Sequence, residues 1–598
     1  MSATLVGEWS RLLAASLADA GVVHVVICPG SRSTPFAWAF AEEPRFNCHS
    51  LIDERAAAFF ALGIARVTGQ PALVLSTSGS AAANFFPAIV EARLARLPLI
   101  VVTADRPLEL QAAEAAQTID QVKLYGEHVR AFFDLGVPDA APSALAGLQR
   151  IARQAVVVSA GPEPGPVHLN ARARKPLEPA GPKTPGEQAL AAAVDALVRR
   201  GGTAVSRAEV AVDSQAIAEL TRELARVERG IVVCGPLPAY AEATATVVEK
   251  LAARLGMPVF AEATSGLRFA TSPAAGADAL DWMLRSPSLR AALAPDCVLR
   301  IGAPPTSGGL ETWLAERPEI ALHVVAEQGY PDALGRARTL TLGPVTRVLA
   351  AVTAALGAGG PSGAQRTFTE QVTQANTLAW QAVHHVTARA TTFDEPEAVR
   401  LALENLPAGG LLVLGNSLPV RLVDSFVPAA AARVRVASQR GANGIDGLVA
   451  GAAGSAVAAE CPTLLLVGDV SLAHDLGGLA AARLVRTPLA LVVLDNGGGR
   501  IFEQLPVAGL WERAGAHSEL WLTPPRLAFE HAAALFELPY AEVSDGAELR
   551  AALTSAFERR GATLVHARVE PHGARDALRA IVAELERLVH SVGASRGP

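Results

Sequence analysis

The stretch TLLLVGDVSLAHDLGGLAAARLVRTPLALVVLDN, residues 463–496, decides the fold. Two short apolar runs, TLLLV and LALVVLDN, flank a segment rich in Ala and Leu, and each run leads into a polar residue, Asp469 and Asn496. Strand, crossover helix and strand in that order predict a βαβ unit with parallel strands buried on both faces. The carboxyl ends of such strands share one edge of the sheet, where ligands bind. Asp469 and Asn496, 27 positions apart, therefore place two hard oxygen donors side by side. Such donors suit Mg²⁺ bridging a diphosphate, with water and a backbone carbonyl completing the octahedron. A plainer reading gives Asp469 to capping the following helix and Asn496 to the NGGG turn.

The same alternation recurs outward from this unit, and the fold class it predicts is α/β with three doubly wound parallel sheets. Near the amino terminus, strands are expected at 22–28, 72–76 and 99–103, with helices over 55–67 and 81–94. Residues 175–207, rich in Pro, Gly and charge, read as a linker with one helix near 188–199. Short strands beginning near Ile231, Val298 and Leu322 follow, and a second Gly/Pro-rich break covers 355–365. The last region has strands at 411–414, 433–437, 463–467, 491–494 and 563–568. Domains are thus expected at 1–180, 208–354 and 367–585.

A chain of 598 residues, half of them hydrophobic and 18% charged, has the apolar material for several cores. Its net charge of −6 and the lack of long Lys/Arg runs argue against a nucleic-acid partner. Five scattered cysteines, none in CxxC spacing, predict no structural zinc and a reducing compartment. The first residues, MSATLVGEWSRLL, lack the basic and apolar regions of a signal peptide, and the apolar runs are too short to span a bilayer. A cytoplasmic location without membrane insertion is the expectation.

The spacing from Asp469 to Asn496 resembles the signature of thiamine diphosphate enzymes, GDG followed some two dozen residues later by an Asn pair. Here GDV stands for GDG and Asp495-Asn496 for the pair. The resemblance implies thiamine diphosphate with Mg²⁺, or Mn²⁺ in its place. The metal would be held by Asp469, Asn496 and Gly498, with Gly468, Val470 and Ser471 at the cofactor. Such enzymes also need a carboxyl group beside the aminopyrimidine, where it promotes loss of the reactive ring proton. The sequence LIDERAAAFFALGIA, residues 51–65, offers Glu54 between a short strand and an apolar helix. Asp53 or Glu54 could instead serve that helix as an acidic first-turn residue. The family layout of pyrimidine-binding, middle and diphosphate-binding domains implies a cofactor at a subunit interface, and hence a homodimer or homotetramer.

Further strings narrow the family. PGSRSTP at Pro29, TSGSAAAN at Thr77, TADRP at Thr103, QTIDQVKLYG at Gln117, GNSLPVR at Gly415, SQRGANGIDG at Ser438 and DNGGGRIF at Asp495 together resemble the 2-succinyl-5-enolpyruvyl-6-hydroxy-3-cyclohexene-1-carboxylate synthases over nearly the whole chain. These are carboligases of menaquinone biosynthesis, whose substrates are 2-oxoglutarate and isochorismate. Four carboxylates, one of them lost as CO₂, call for fixed cations, and Arg is suited to binding them in a planar, bidentate manner. The resemblance assigns Ser417, Arg421 and Arg440 to the part derived from 2-oxoglutarate, and Ser31, Arg32, Arg106 and Gln117 to isochorismate. Ser417 also falls at the cofactor, Ile445 supports its bent conformation, and Ile501 with Phe502 forms an apolar wall.

One position departs from the family: Gly308 in PPTSGGLETW stands where relatives commonly carry Lys, with Arg268 a candidate substitute. The reaction implied is decarboxylation of 2-oxoglutarate followed by conjugate addition to the ring alkene of isochorismate. No residue suggests itself as the final proton donor. An acetolactate synthase or 2-oxoacid decarboxylase would share Glu54 and Asp469 but needs fewer arginines. A nucleotide-binding oxidoreductase is suggested by RIGAPPTSG and VVCGPLP, neither of which contains GxGxxG opening a helix.

Overall fold

A computed structural model describes residues 2–206, 210–237, 242–270 and 276–595. Its strands form three six-stranded sheets in which every pairing is parallel. The first contains β1 (His24–Ile27), β2 (Asn47–Ser50), β3 (Ala72–Ser76), β4 (Leu99–Asp105), β5 (Ala131–Asp134) and β6 (Pro166–Arg172), in the order β2-β1-β3-β4-β6-β5. The second contains β7 (Gly230–Cys234), β8 (Val259–Ala261), β9 (Gly276–Ala277), β10 (Cys297–Ile301), β11 (Ala321–Ala326) and β12 (Ala337–Leu342), in the order β12-β11-β10-β7-β8-β9. The third contains β13 (Leu411–Leu414), β14 (Arg435–Ser438), β15 (Thr463–Gly468), β16 (Pro488–Asp495), β17 (Tyr540–Val543) and β18 (Gly561–Arg568), in the order β14-β13-β15-β16-β18-β17. Numbered within each sheet, the first and third share the order 2-1-3-4-6-5, while the second has 3-2-1-4-5-6, an order familiar from dinucleotide-binding folds. The α/β class expected from the sequence is what the chain adopts.

The βαβ reading of residues 463–496 holds in that β15 pairs in parallel with β16, from Thr463 opposite Leu489 to Gly468 opposite Leu494, while the one crossover helix expected is two short helices, Asp469–His474 and Gly478–Ala482. Central strands such as β3 and β4 are buried throughout, which is why their apolar runs show no alternation. β2 is an exposed edge strand, Asn47-Cys48-His49-Ser50, the short strand expected before Glu54, and its polar sequence shows neither alternation nor an apolar run. The helix expected over 81–94 is two helices, Ser80–Asn84 and Phe86–Leu94, with Pro87 opening the second.

The chain divides into two compact units. One holds the segments up to residue 208 together with 439–460 and 474–487; the other holds 209–438, 461–473 and 488 onward. In the first unit, helix Glu54–Thr68 is buried along most of its length and packs against helix Leu448–Ala459. Glycines allow their close approach: a Cβ on Gly63 would lie 2.0 Å from the Gly451 carbonyl oxygen, and one on Gly454 would lie 2.0 Å from that of Phe60. The helix inside the expected linker, Pro185–Arg200, carries a capping box of Thr184 and Glu187 and adds Leu190 and Val194 to the core around the first sheet. In the second unit, Trp282, Trp313 and Phe426 share a core with Leu464, Leu466 and Val492 of the third sheet. Among the described residues no helix is long and apolar enough to cross a membrane.

Candidate active site

In the second unit, β13, β15 and β16 are neighbours, and the direction of strand order reverses between β13 and β15. That reversal opens a crevice at the carboxyl ends. Ser417 follows β13, Asp469 follows β15 and Asn496 follows β16. Asp469 is 2% exposed; one carboxylate oxygen accepts the Val470 N–H at 2.8 Å, and the other has no hydrogen-bond partner. Asn496 does not serve the turn with its side chain. Its Nδ2 donates to Glu395 Oε1 at 2.9 Å, and its Oδ1 is buried without a partner. Asp495 serves the turn instead, accepting the Gly497 N–H at 3.1 Å.

Unmatched buried acceptors are costly unless something positive meets them. Burial, with Asp495 nearby, raises the Asp469 carboxyl to about 7, and burial raises that of Glu395 to about 8. A cation placed here reverses that preference for protonation. Among the described residues no three His, Cys, Asp or Glu side chains gather to form a protein-only metal cage. One carboxylate, one amide and backbone oxygen is the donor set Mg²⁺ takes when water and phosphate fill its other positions. The residues present therefore fit a Mg²⁺-bound diphosphate.

The turn after Asn496 is rigid. Gly498 has φ +124°, and a Cβ on it would lie 2.2 Å from the Leu522 carbonyl oxygen, so glycine is required. The Gly499 N–H donates to Leu522 at 2.6 Å, and Arg500 Nε donates to the Asn496 carbonyl at 3.1 Å. Ile501 and Phe502, both half-buried, follow in the short helix Arg500–Gln504. Although burial pushes the Asp495 carboxyl up, His566 Nε2 at 2.8 Å and the turn N–H hold it below its ordinary value. The other ring nitrogen of His566 meets the Tyr540 hydroxyl at 2.9 Å.

Beside this site a cavity of about 460 Å³ is lined by Arg421, Glu262, Asp281, Gly308 and Ile501 among others. Arg421 Nη1 donates to the Ser417 carbonyl at 2.6 Å, across a turn in which Ser417 has φ +71°. Burial lowers the Arg421 pKa, while Glu262, Asp281 and Asp424 favour its charge. Burial and Asp424 raise Glu262 to about 8, although it accepts the Thr306 N–H at 2.5 Å and the Thr264 hydroxyl at 2.9 Å. Arg268, the candidate substitute for the lysine missing at Gly308, lines the same cavity. Its guanidinium donates to the carbonyls of Val427, Asp424, Asp278 and Ala261, which makes it an internal strut.

In the first unit, Glu54, Ser31, Arg32 and Arg106 follow β2, β1 and β4 at their carboxyl ends. Asp53 is the cap of helix Glu54–Thr68, accepting the Ala56 N–H at 3.0 Å. Glu54 is left with one long hydrogen bond, from Asn84 Nδ2 at 3.4 Å. Arg32 is 3% exposed; Nη1 donates to the Ala173 carbonyl at 2.5 Å and Nε has no partner. Burial and the charge of Arg106 depress its pKa, and both arginines line an opening of about 400 Å³ with Arg174 and Lys175. Asp105, next in sequence to Arg106, favours the charge of Arg32, and Glu109 in the same opening pairs with Arg174 at 2.5 Å, so the opening is cationic but not free of carboxylates. Gln117, at φ +56°, donates through Nε2 to the Ser78 carbonyl at 3.1 Å. Ser31, next in sequence to the buried Arg32, is exposed. Arg440 and Ile445 lie in the loop before helix Leu448–Ala459. Glu91, paired with Arg66 at 3.0 Å, fixes that loop by accepting the N–H groups of Gly441 at 3.0 Å and Ala442 at 2.6 Å.

Sequence reasoning missed Glu395, Glu262, His566 and Glu91. Each is a buried or half-buried polar group with at least one partner far away in sequence, a pairing that no spacing reveals. The one available signal was Asp495 standing for an amide, which asks for a hydrogen-bond partner that His566 supplies.

Comparison with known proteins places the chain. Residues 8–124 match the thiamine pyrophosphate enzyme N-terminal TPP binding domain, and residues 433–567 match the C-terminal TPP binding domain. A 2-succinyl-5-enolpyruvyl-6-hydroxy-3-cyclohexene-1-carboxylate synthase of Sorangium cellulosum is 45% identical, covering 98% of this chain and 96% of the relative. Synthases of the same name from Geobacillus kaustophilus and Myxococcus xanthus are 37% and 36% identical, covering 94% and 96% of this chain and 94% and 97% of the relatives. Among solved structures, benzoylformate decarboxylase from Polynucleobacter necessarius superposes with a TM-score of 0.68 at 16% identity, covering 94% of this chain and 98% of its own. A putative thiamin diphosphate-dependent enzyme from Mycobacterium smegmatis gives 0.66 at 21%, covering 93% and 98%. These two likenesses concern the fold alone. The chain belongs to the 2-succinyl-5-enolpyruvyl-6-hydroxy-3-cyclohexene-1-carboxylate synthase family of thiamine diphosphate-dependent enzymes.

Proposed function

We propose that this chain decarboxylates 2-oxoglutarate and joins the resulting succinyl unit to isochorismate by conjugate addition, giving 2-succinyl-5-enolpyruvyl-6-hydroxy-3-cyclohexene-1-carboxylate for menaquinone biosynthesis. The observation that carries the reading is the pair of buried, unmatched oxygens on Asp469 and Asn496 at adjacent strand ends, in a chain 45% identical to a synthase of that name over nearly its full length. Bound thiamine diphosphate supplies the electron sink that lets a 2-oxo acid lose CO₂ and react as a nucleophile. Asp469, Asn496 and the Gly498 carbonyl hold the Mg²⁺, with Gly468, Val470 and Ser471 against the diphosphate. Glu54 holds a proton at the aminopyrimidine. Its freedom from the capping role that Asp53 fills supports this assignment.

Arg421, Arg440 and Ser417 take the carboxylates of 2-oxoglutarate, while Arg32, Arg106, Ser31 and Gln117 take isochorismate. Ile445, Ile501 and Phe502 give the apolar surface that excludes water and shapes the cofactor. In the homodimer or homotetramer we assign to the protein, Glu54 of one chain and the metal-binding residues of another serve one cofactor. The working domain division is 1–180, 208–354 and 367–585, and the location is cytoplasmic.

The test is consumption of isochorismate by the purified chain with 2-oxoglutarate, thiamine diphosphate and Mg²⁺, set beside Glu54→Gln. Product formation by the wild type and its loss in the variant are expected. Turnover of pyruvate alone would move the chain to an acetolactate-forming or decarboxylating activity, and absence of thiamine diphosphate binding would overturn the reading.

A further inference from the structure

We propose that Glu395 is the residue that positions Asn496 for the metal. The inference rests on the assignment of Asp469 and Asn496 to Mg²⁺ above and extends it to a residue 101 positions away in sequence. An asparagine side chain has two faces, an amide that donates and an oxygen that accepts, and only the oxygen can ligate a cation. Glu395, 2% exposed at the start of helix Glu395–Asn405, accepts the Asn496 Nδ2 at 2.9 Å. With Nδ2 engaged, Oδ1 is left pointing away, buried and without any partner. Once a cation has ionised Glu395, a rotated amide would give up the observed donation from Nδ2 and set Oδ1 against a carboxylate oxygen that can only accept, so the carboxylate selects the ligating orientation.

Glu395 is itself held. Its neighbour Asp394 caps the same helix by accepting the Glu397 N–H at 2.9 Å, and Pro396 stands in the helix's first turn. Helix Glu395–Asn405 packs against β16, the strand that ends at Asn496. The arrangement is an outer hydrogen bond fixing a ligand on a rigid element, a feature whose loss typically weakens metal affinity by about 10- to 100-fold. Glu395 Oε2 is also unmatched. A direct role for that oxygen at the cation is the rival explanation, and the choice of variants separates the two.

The experiment measures Mn²⁺ affinity of the full-length chain with saturating thiamine diphosphate, by electron paramagnetic resonance of the free ion, for wild type, Glu395→Gln, Glu395→Ala and Asp469→Ala. Melting temperatures without metal or cofactor establish that each variant folds. Glu395→Gln keeps an acceptor for Asn496 and is expected to bind Mn²⁺ within about threefold of wild type, whereas Glu395→Ala is expected to lose about tenfold or more. Should Glu395→Ala not fold, Glu395→Leu fills the volume without offering an acceptor and carries the same expectation. Wild-type affinity in the Ala or Leu variant would overturn the inference. A loss in Gln as large as in Ala would also overturn it, making the carboxylate itself a ligand. Asp469→Ala isolates the underlying assignment: if its affinity is unchanged the metal site is elsewhere and both readings fall.

Discussion

Glu262 faces the cavity beside Arg421 with burial and Asp424 both disfavouring its charge, so in the folded protein it keeps its proton up to about pH 8, against 4.5 for an ordinary glutamate. The unfolded chain releases that proton at the lower value. The group's contribution to stability is therefore complete below about pH 4.5 and gone once the pH has risen through 8. Glu262→Gln retains an acceptor for the Thr306 N–H, and its melting temperature in the absence of ligands is expected to fall less steeply than wild type between pH 5 and 8. Arg421 makes a second case. If Arg421 takes a substrate carboxylate as proposed, replacing it with Gln removes a charge-assisted bond worth about 1.5–3 kcal/mol. The KM for 2-oxoglutarate should rise at least tenfold while that for isochorismate changes little, as steady-state kinetics with each substrate varied will report. Asp469 and Asn496 were legible because a polar residue directly after an apolar strand is conspicuous. Glu395 was not, since DEPE at residues 394–397 is fully explained as a helix start.

Among the elements, helix Glu54–Thr68 has two jobs, presenting Glu54 and seating helix Leu448–Ala459. The first depends on Asp53: Asp53→Ala removes the cap and is expected to cost about 1 kcal/mol by thermal or urea unfolding. The second depends on Gly63 and Gly454, where a side chain has no room. Gly454→Leu is expected to prevent accumulation of folded protein, seen as loss of soluble yield. Apolar runs announced the central strands, and the Ala-rich segments between them announced crossover helices. The edge strand β2 was expected only as a short strand before Glu54 and carries no apolar run, because an exposed strand stabilised by pairing on one side needs neither alternation nor hydrophobicity. Pro87 was visible in the sequence, yet a proline in a helix's first turn and one that breaks a helix look alike until the neighbouring turn is known.

For the molecule as a whole, three α/β regions were evident from two Gly/Pro-rich breaks, but strand order was not. Nothing in the local sequence distinguishes 2-1-3-4-6-5 from 3-2-1-4-5-6, because order is set by which way each crossover turns, and that depends on the other strands already in place. The assignment of the cofactor also has a global consequence. Thiamine diphosphate and Mg²⁺ bind the native state, so at a hundred times their dissociation constant they should stabilise it by about 2.7 kcal/mol. Differential scanning calorimetry is expected to show a higher melting temperature for wild type with both ligands and no shift for Asp469→Ala.

The partition of the chain also bears on how it is made. Helix Glu54–Thr68 packs against β1, β3 and helix Phe86–Leu94 as well as Leu448–Ala459, but its glycine-notched contact is with the last, and the unit containing both is assembled from segments as distant as residues 3 and 487. At about 5–20 residues per second on the ribosome, the glycine-notched face of the first helix waits roughly 20–80 s for its partner to be synthesised. During that interval the face of the helix that Leu448–Ala459 will cover, carrying Phe59 and Phe60, lacks its final partner, so a message truncated after residue 206 should yield an aggregating fragment rather than a soluble domain, as sedimentation of the expressed fragment will report.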